Sequence, residues 1–269
     1  MIPRSYLFVP ADRPERIAKA LASGADAVIV DLEDAVAPAA KDAARAALQA
    51  WLAQQGDAAT AVPLLVRLNA PGTAWHEADR ALAAQPAVAG LMCPKAERPE
   101  DLAALAALLG GRALLPLVES AEGLDRLRDI ARVRGVQRLA FGSIDLQVDL
   151  GMNDEEALLP WRLQLVLQSR LAGLAPPVDG VSTAIDDTGV VGADARRARE
   201  RGFGAKLCIH PKQVAPVNAA FTPSAAEVDW ARRVLHAAEA SGDAAVAVDG
   251  KMVDKPVLLR AQALLQAVR

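Results

Sequence analysis

The sequence has few cysteines and only a small net charge of -3, and each of these shortages argues against a class of protein. Its 269 residues include 30 basic and 33 acidic residues, so it lacks the positive surface typical of proteins that bind nucleic acids or anionic membranes. The two cysteines, Cys93 and Cys208, lie in apolar segments without a CxxC or Cys/His cluster. This pattern argues against zinc and predicts buried, reduced thiols. We expect a small molecule as partner.

Long apolar runs and aromatic residues are also scarce. No stretch approaches the roughly 20 apolar residues that a membrane span needs, and residues 1–5 open directly into a strand-like run without the apolar core of a signal peptide. We therefore expect a cytoplasmic protein without membrane association. Aromatic residues make up 3% of the chain, but 52% of it is hydrophobic, which is ample for one large core.

Short apolar runs alternate with longer helical patterns along the chain. The eight predicted strands are Tyr6–Val9, Ala27–Val30, Leu64–Leu68, Gly90–Cys93, Ala113–Val118, Leu139–Phe141, Val178–Val181 and Ala205–Ile209. Strands that are apolar on both faces and separated by helices indicate a parallel sheet covered by helices. Eight alternations favour a closed (β/α)8 TIM barrel of the α/β class. No GxGxxG turn follows a strand, which argues against a dinucleotide-binding sheet.

Several helices have recognisable limits. The predicted ranges are Pro14–Ser23, Ala39–Gln54, Thr222–Ser241 and a last helix from Pro256. Asp12 is the expected N-cap of the first of them. The last two exceed the eight units of a barrel. We therefore predict a catalytic barrel over residues 1–221 and a C-terminal helical extension over residues 222–269.

Charged and polar residues recur where the predicted strands end. They are Asp31, Glu33 and Asp34 after strand two, Arg67 and Asn69 at strand three, Lys95 and Glu97 after strand four, Glu119 after strand five, Asp145 after strand six, and His210 after strand eight. The carboxyl ends of all barrel strands open on one face, which carries the active site in barrel enzymes. We therefore expect these side chains to converge.

Glu119 and Asp145 form the most informative pair. We place them at the ends of adjacent strands, where two carboxylates without a histidine or cysteine companion are hard oxygen ligands that suit Mg²⁺. Gly142 would let the backbone turn closely beneath a ligand. Helix capping, or pairing with a nearby arginine, is the structural alternative for these carboxylates.

Arg67 lies in a strand that looks buried, and an arginine there needs an anionic partner. Glu33 or Asp34, one strand away, is the expected partner, and a substrate carboxylate or enolate is the functional alternative. Lys95 and Lys206 raise the possibility of a Schiff-base lysine. Lys206 begins its strand, at the wrong end for catalysis, whereas Lys95 lies at the right end, where a solvated charge or a phosphate contact is the alternative.

Eight short motifs, in one order across nearly the whole chain, resemble the HpcH/HpaI aldolase and citrate lyase β-subunit superfamily, in particular its CitE-like acyl-CoA lyases. The motifs are Phe8–Ala11, Asp31–Val36, Arg67–Asn69, Pro94–Glu97, Glu119–Ser120, Phe141–Asp145, Cys208–Pro211 and Gly250–Pro256. The resemblance implies a TIM barrel with Mg²⁺ held by Glu119 and Asp145. It also implies cleavage or formation of a C–C bond in a 3-hydroxyacyl-CoA thioester of the malyl, citramalyl or citryl kind, with a 2-oxo acid product.

The resemblance further implies roles for single residues. Arg67 would contact the substrate, and Asp254 would be a general acid/base on a C-terminal segment that reaches a neighbouring subunit of a trimer. In a mechanism of this kind we expect Glu33 and Asp34 to orient Arg67 and metal-bound waters. The basic residues expected at the mouth of the site, for the phosphates of the thioester, are Arg16, Lys19 and Lys95.

Ile144 departs from the family pattern, because many relatives carry an acidic residue just before the metal aspartate. Three alternatives stay open, of which the departure at Ile144 bears on the first. The first is a barrel that binds coenzyme A or a keto acid without catalysis. The second is the β subunit of a multi-chain citrate lyase that acts on acyl-carrier-protein thioesters. The third is a metal-independent Schiff-base aldolase.

Overall fold

The first part of the chain forms a closed barrel of eight parallel strands. The structure is a computed structural model that describes residues 2–55, 60–241 and 246–268. The chain divides into two compact units, Met1–Asn218 and Ala219–Arg269. In the first unit the strands follow one another in sequence order, and the last strand pairs with the first through Lys206 and Ser5. The predicted α/β barrel is confirmed.

The barrel strands are β1 Ser5–Pro10, β2 Ala27–Asp31, β3 Leu64–Arg67, β4 Gly90–Cys93, β5 Ala113–Val118, β6 Ala140–Phe141, β7 Val178–Asp179 and β8 Ala205–Cys208, and a hairpin follows with β9 Val246–Val248 and β10 Lys251–Val253. The α-helices are α1 Ile17–Leu21, α2 Lys41–Gln55, α3 His76–Arg80, α4 Pro99–Leu109, α5 Ala121–Asp125, α6 Leu127–Ala131, α7 Ser143–Leu150, α8 Leu159–Leu171, α9 Thr188–Glu200, α10 Val214–Phe221, α11 Ala225–Ser241 and α12 Lys255–Gln266. Strands β3, β6, β7 and β8 are one or two residues shorter than predicted.

The barrel interior is a packed core. Every strand contributes at least one apolar side chain to it, among them Tyr6, Ile29, Leu65, Met92, Leu117, Ala140, Val178 and Leu207. Strand β2 is buried at every position, because the interior covers one face and helices cover the other. The filled interior leaves the ends of the strands as the place for a site. Cys93 and Cys208 are buried free thiols, as predicted.

The first helix differs from its prediction. A short 3-10 turn over Pro14–Arg16 precedes α1, and Arg13, not Asp12, stands at its N-cap without a side-chain bond. The amide of Arg13 donates to the carbonyl of Pro10, so the turn after β1 extends one residue further than predicted. The assignment of Asp12 as a cap is therefore wrong.

The second unit contains the β9–β10 hairpin, α11 and α12, packed around Ala231, Val234, Val253 and Ala261. Helix α11 begins at Ala225, later than predicted, because Ser224 and Glu227 cap each other's backbone amides reciprocally. Asp254 is the N-cap of α12. In the part of the chain that the structure describes, no helix is both long enough and apolar enough to cross a bilayer.

Candidate active site

A cavity of about 390 Å³ lies at the carboxyl ends of the barrel strands. The polar residues that line it are Asp31, Asp34, Arg67, Glu119, Ser143 and Asp145, and apolar walls come from Phe8, Phe141, Ile144 and Ile209 among others. The structure therefore brings together side chains that lie more than 100 residues apart in the sequence. This is the face on which barrel enzymes carry their catalytic groups.

Arg67 is held by Asp31. The two residues are register partners on β3 and β2, and the guanidinium donates from Nε to Asp31 Oδ1 at 2.7 Å and from Nη2 to Oδ2 at 2.6 Å. Such a two-point bond fixes the plane of the guanidinium. Glu33 and Asp34, the partners predicted from the sequence, do pair with Arg67, but the sequence did not indicate Asp31, because a register is not visible in one strand alone.

Asp31 also organises the loop after β2. Its carboxylate accepts hydrogen bonds from the amides of Glu33 and Ala35, at 2.9 and 3.0 Å. From the other side, the buried ammonium of Lys41 donates to the carbonyl of Glu33 at 2.8 Å and to Asn69 Oδ1 at 2.6 Å. The loop that carries the acidic motif is therefore bonded to β2 through Asp31 and to α2 through Lys41. The sequence did not indicate this role for Lys41.

The remaining guanidinium nitrogen of Arg67, Nη1, lies 3.1 Å from Glu33 Oε2 and 3.2 Å from Asp34 Oδ2, and the Phe8 ring lies 4.8 Å from the guanidinium carbon. Burial by itself lowers the pKa of Arg67, but the hydrogen bonds and charge of Asp31, with the neighbouring carboxylates, outweigh it and raise the pKa. Arg67 is thus a permanent, oriented cation at the cavity wall.

Glu33 is the carboxyl group of this cluster whose ionised form is disfavoured. Burial raises its pKa to about 8; the charge of Arg67 opposes the rise, and the carboxylates of Glu119, Asp34 and Asp31 add to it. Its Oε2 atom is buried and lies near Arg67 without the geometry of a hydrogen bond. The folded protein therefore holds a proton on Glu33 at pH values where the unfolded chain has released it.

This proton predicts how the Glu33→Gln variant behaves with pH. Between pH 4.5 and 8 the folded state binds more protons at Glu33 than the unfolded state, so this group's contribution to stability falls as pH rises. Relative to wild type, Glu33→Gln should gain free energy of unfolding between pH 5 and pH 8.5, by about 1.4 kcal/mol or more, the equivalent of one pKa unit. Urea unfolding at both pH values measures it. The exposed Glu122→Gln variant controls for the loss of one charge, and a wild-type to Glu33→Gln difference that is constant with pH would contradict the argument.

The carboxylates of Glu119 and Asp145 both lie near the ammonium group of Lys95. Glu119 directly follows β5 and is 2% exposed. Asp145 lies in the first turn of α7, not at a strand end, which corrects the predicted position. The ammonium of Lys95 lies 2.7 Å from Asp145 Oδ1 and 3.7 Å from Glu119 Oε1, and the amide of Lys95 donates to the same Glu119 oxygen at 2.8 Å.

Burial raises the pKa of Glu119 to about 7, although the charge and the amide of Lys95 lower it. Gly142, which the sequence predicts beneath a ligand, makes room for this carboxylate. A Cβ atom at position 142 would lie 2.4 Å from Glu119 Cβ and 2.6 Å from Glu119 Oε2. Any other residue at position 142 would therefore displace the carboxylate.

The donor set fits magnesium. Across residues 2–55, 60–241 and 246–268, no group of three or more His, Cys, Asp or Glu side chains could hold a metal ion. Mg²⁺ in proteins is commonly bound by one or two carboxylates, and water and substrate oxygens complete its coordination shell. Here two carboxylates already lie close enough to share one cation, the ammonium of Lys95. Glu119 and Asp145 are the residues that would hold it.

The other basic candidates lie elsewhere. Arg16 and Lys19 are exposed on the segment after β1. The ammonium of Lys206 is buried against Asp179 Oδ2 at 2.8 Å and against the carbonyl of Gly180 at 2.7 Å. His210 caps the turn after β8 by accepting from the amide of Lys212. Lys206 and His210 are thus engaged in structural bonds.

Ser143 is a site residue that the sequence gave no reason to select. Its hydroxyl is buried, lines the cavity and has no hydrogen-bond partner in the described part of the chain. It is the first residue of α7, beside Ile144, whose side chain also lines the cavity and is 43% exposed. An unpaired hydroxyl at a helix N-terminus is suited to accept or donate to a ligand oxygen.

Fold and site together define an enzyme of the aldolase and lyase class of α/β barrels. The model of the family described as HpcH/HpaI aldolase/citrate lyase matches residues 4–211. The chain belongs to this family.

Relatives of known name match over almost the whole length. The citrate lyase subunit beta-like protein of Deinococcus radiodurans is 38% identical and aligns with 97% of this chain and 96% of its own. A (3S)-malyl-CoA thioesterase of Cereibacter sphaeroides is 35% identical, with 97% and 93% covered. Among solved structures, CitE from Mycobacterium tuberculosis in complex with magnesium, acetoacetate and coenzyme A superposes with a TM-score of 0.84 at 36% identity, covering 98% of this chain and 97% of that one.

Proposed function

We propose that the protein is a Mg²⁺-dependent carbon–carbon lyase that cleaves or forms a 3-hydroxyacyl-CoA thioester, with a 2-oxo acid as one product. The observation that carries the proposal is that the carboxylates of Glu119 and Asp145 meet at the ammonium of Lys95. The buried Arg67 lines the same cavity. The family supports it, as does the CitE relative that binds magnesium, acetoacetate and coenzyme A.

In the proposed mechanism Glu119 and Asp145 hold the ion. When bound, Mg²⁺ polarises the hydroxyl and the nascent carbonyl oxygen of the oxo-acid half. Arg67 stabilises the negative charge of the thioester enolate or of the carboxylate. Its two hydrogen bonds to Asp31 hold the guanidinium in position before the substrate binds. Such orientation before binding is what makes an electrostatic contact effective in the transition state.

The start of α7 is the proposed anchor for the oxo-acid half. Its first three residues line the cavity, and the buried hydroxyl of Ser143 has no hydrogen-bond partner in the described part of the chain, so this helix start suits a carboxylate. Ile144 adds an apolar side chain at this point. An additional carboxylate against an apolar wall would lose hydration without a partner, so malyl- and citramalyl-CoA rank ahead of citryl-CoA.

The remaining roles rest on the family resemblance. Asp254 is proposed as the acid/base that exchanges a proton at the enolate carbon, delivered by the C-terminal extension of a neighbouring subunit in a trimer. Its side chain stands at the N-cap of α12. Glu33 and Asp34 orient Arg67 and metal-bound water. Arg16 and Lys19 bind the phosphate groups of coenzyme A. The cytoplasm is the proposed compartment.

Turnover of malyl-, citramalyl- and citryl-CoA with Mg²⁺ tests the function directly. We expect release of a 2-oxo acid and a shorter acyl-CoA, detected by mass spectrometry. Activity should fall at least about 100-fold in EDTA and return with added Mg²⁺, because the ion acts as Lewis acid on the reacting oxygens. Full activity in EDTA would exclude the proposal.

The turnover assay, together with two further measurements, separates the three alternative functions. Activity on acyl-carrier-protein thioesters alone would identify a citrate lyase subunit. Borohydride trapping of a substrate adduct on Lys95 would identify a Schiff-base aldolase. Binding without turnover of any thioester would identify a non-catalytic barrel.

A further inference from the structure

Lys95 has a backbone conformation that places two of its donors on the metal-site carboxylates. Its φ of 45° lies in the left-handed region, which residues with a side chain adopt at a cost in free energy. In this conformation its amide donates to Glu119 Oε1 at 2.8 Å and its ammonium donates to Asp145 Oδ1 at 2.7 Å. One residue thus bonds both carboxylates.

The ammonium stands where a cation between these carboxylates would stand. It lies 2.7 Å from an oxygen of Asp145 and 3.7 Å from an oxygen of Glu119. Burial by itself lowers the pKa of Lys95, but the hydrogen bond to Asp145 and the charge of Glu119 outweigh it and raise the pKa. Its side chain is 37% exposed, so the flexible stem has solvent into which it can turn.

We propose that Lys95 is the counter-cation of the metal-free site, and that Mg²⁺ must displace its ammonium in order to bind. The inference rests on the proposed function. Two carboxylates that meet without a cation repel each other, and one of them is buried. The ammonium removes this repulsion and keeps Glu119 and Asp145 together when no metal is present. It also weakens metal binding, because the ion has to break an existing ion pair before it gains its own.

The Lys95→Met variant tests this competition. Methionine keeps the amide that bonds Glu119 and most of the apolar stem but removes the charge. We expect Mg²⁺ and Mn²⁺ to bind at least tenfold more tightly by calorimetry, since the competitor is gone and its repulsion of the bound ion is gone as well. Without metal, the variant should melt at a lower temperature than wild type, and saturating Mg²⁺ should raise its Tm by more than it raises that of wild type.

Two further variants make the result specific. Lys95→Arg keeps a cation and should bind metal no more tightly than wild type. Lys212→Met removes an exposed lysine that pairs with Asp186 on the surface, and should leave metal affinity unchanged. Wild-type affinity or weaker binding in Lys95→Met would overturn the role of Lys95. If wild type itself binds neither Mg²⁺ nor Mn²⁺, the proposed function fails instead, so the two failures are distinguishable.

Discussion

Asp145→Asn is expected to lose divalent-metal binding and to lower kcat/KM by about 1,000-fold or more. The substitution keeps the size of the side chain and removes its charge, so that Glu119 is left as the sole carboxylate at the ion. Changes to groups that merely orient a metal ligand already cost about 10- to 100-fold, and loss of a ligand should cost more. Titration with Mn²⁺ followed by electron paramagnetic resonance measures binding, and steady-state kinetics measure the rate.

Asp149→Asn is the matched control for that result. Asp149 lies on the same helix, and its carboxylate accepts from the amide of Ala121, a bond that an asparagine oxygen can also make. Its metal affinity should match that of wild type. Equal metal affinity in Asp145→Asn and Asp149→Asn would refute Asp145 as a ligand.

Arg67→Ala should combine a large loss of stability with a large loss of activity. It leaves the carboxylate of Asp31, which is 1% exposed, without its partner, and breaking a buried ion pair from one side costs about 3–5 kcal/mol. It also removes the charge that we propose faces the substrate. Arg67→Lys should recover part of the stability but little of the rate, because an ammonium cannot reproduce the two-point bond. Urea unfolding and kcat on the same preparations measure both effects.

Arg45→Lys is the control that separates loss of stability from loss of activity in the Arg67 variants. Arg45 binds the buried Asp79 at 2.6 Å, in a pair that does not line the cavity. Its replacement should lower the free energy of unfolding and leave kcat unchanged. A wild-type kcat in a folded Arg67→Lys variant would show that Arg67 is a structural residue alone.

The barrel could be predicted from the sequence because its strands are apolar on both faces and short helices separate them. Strands β4 and β5 begin and end where the apolar runs do, since burial decides each position. The ends of helices were less predictable. Asp12 has the chemistry of a cap, yet the turn after β1 makes Arg13 the residue before the helix, and this depends on a backbone bond to Pro10 that composition does not encode.

The members of the candidate site could be predicted, but only some of its pairs: Arg67 does pair with Glu33 and Asp34, as expected. Glu119, Asp145 and Arg67 stood out as polar residues after apolar strands. The bond between Arg67 and Asp31 depends on the register of two strands, and the contact of Lys95 with Asp145 joins residues 50 positions apart. Ser143 gave no signal, because a serine at a helix start is commonplace and its lack of a partner appears in three dimensions alone.

Pairing of β1 with β8 also has a consequence for how the chain is made. Ser5 and Lys206 are about 200 residues apart, so a ribosome must release three quarters of the chain before the seam can form. Until then β1 presents an open edge of unpaired backbone groups, the kind of surface on which nascent chains associate wrongly. Contacts of such long sequence separation also slow folding. Closure of the barrel is therefore a late event in biosynthesis.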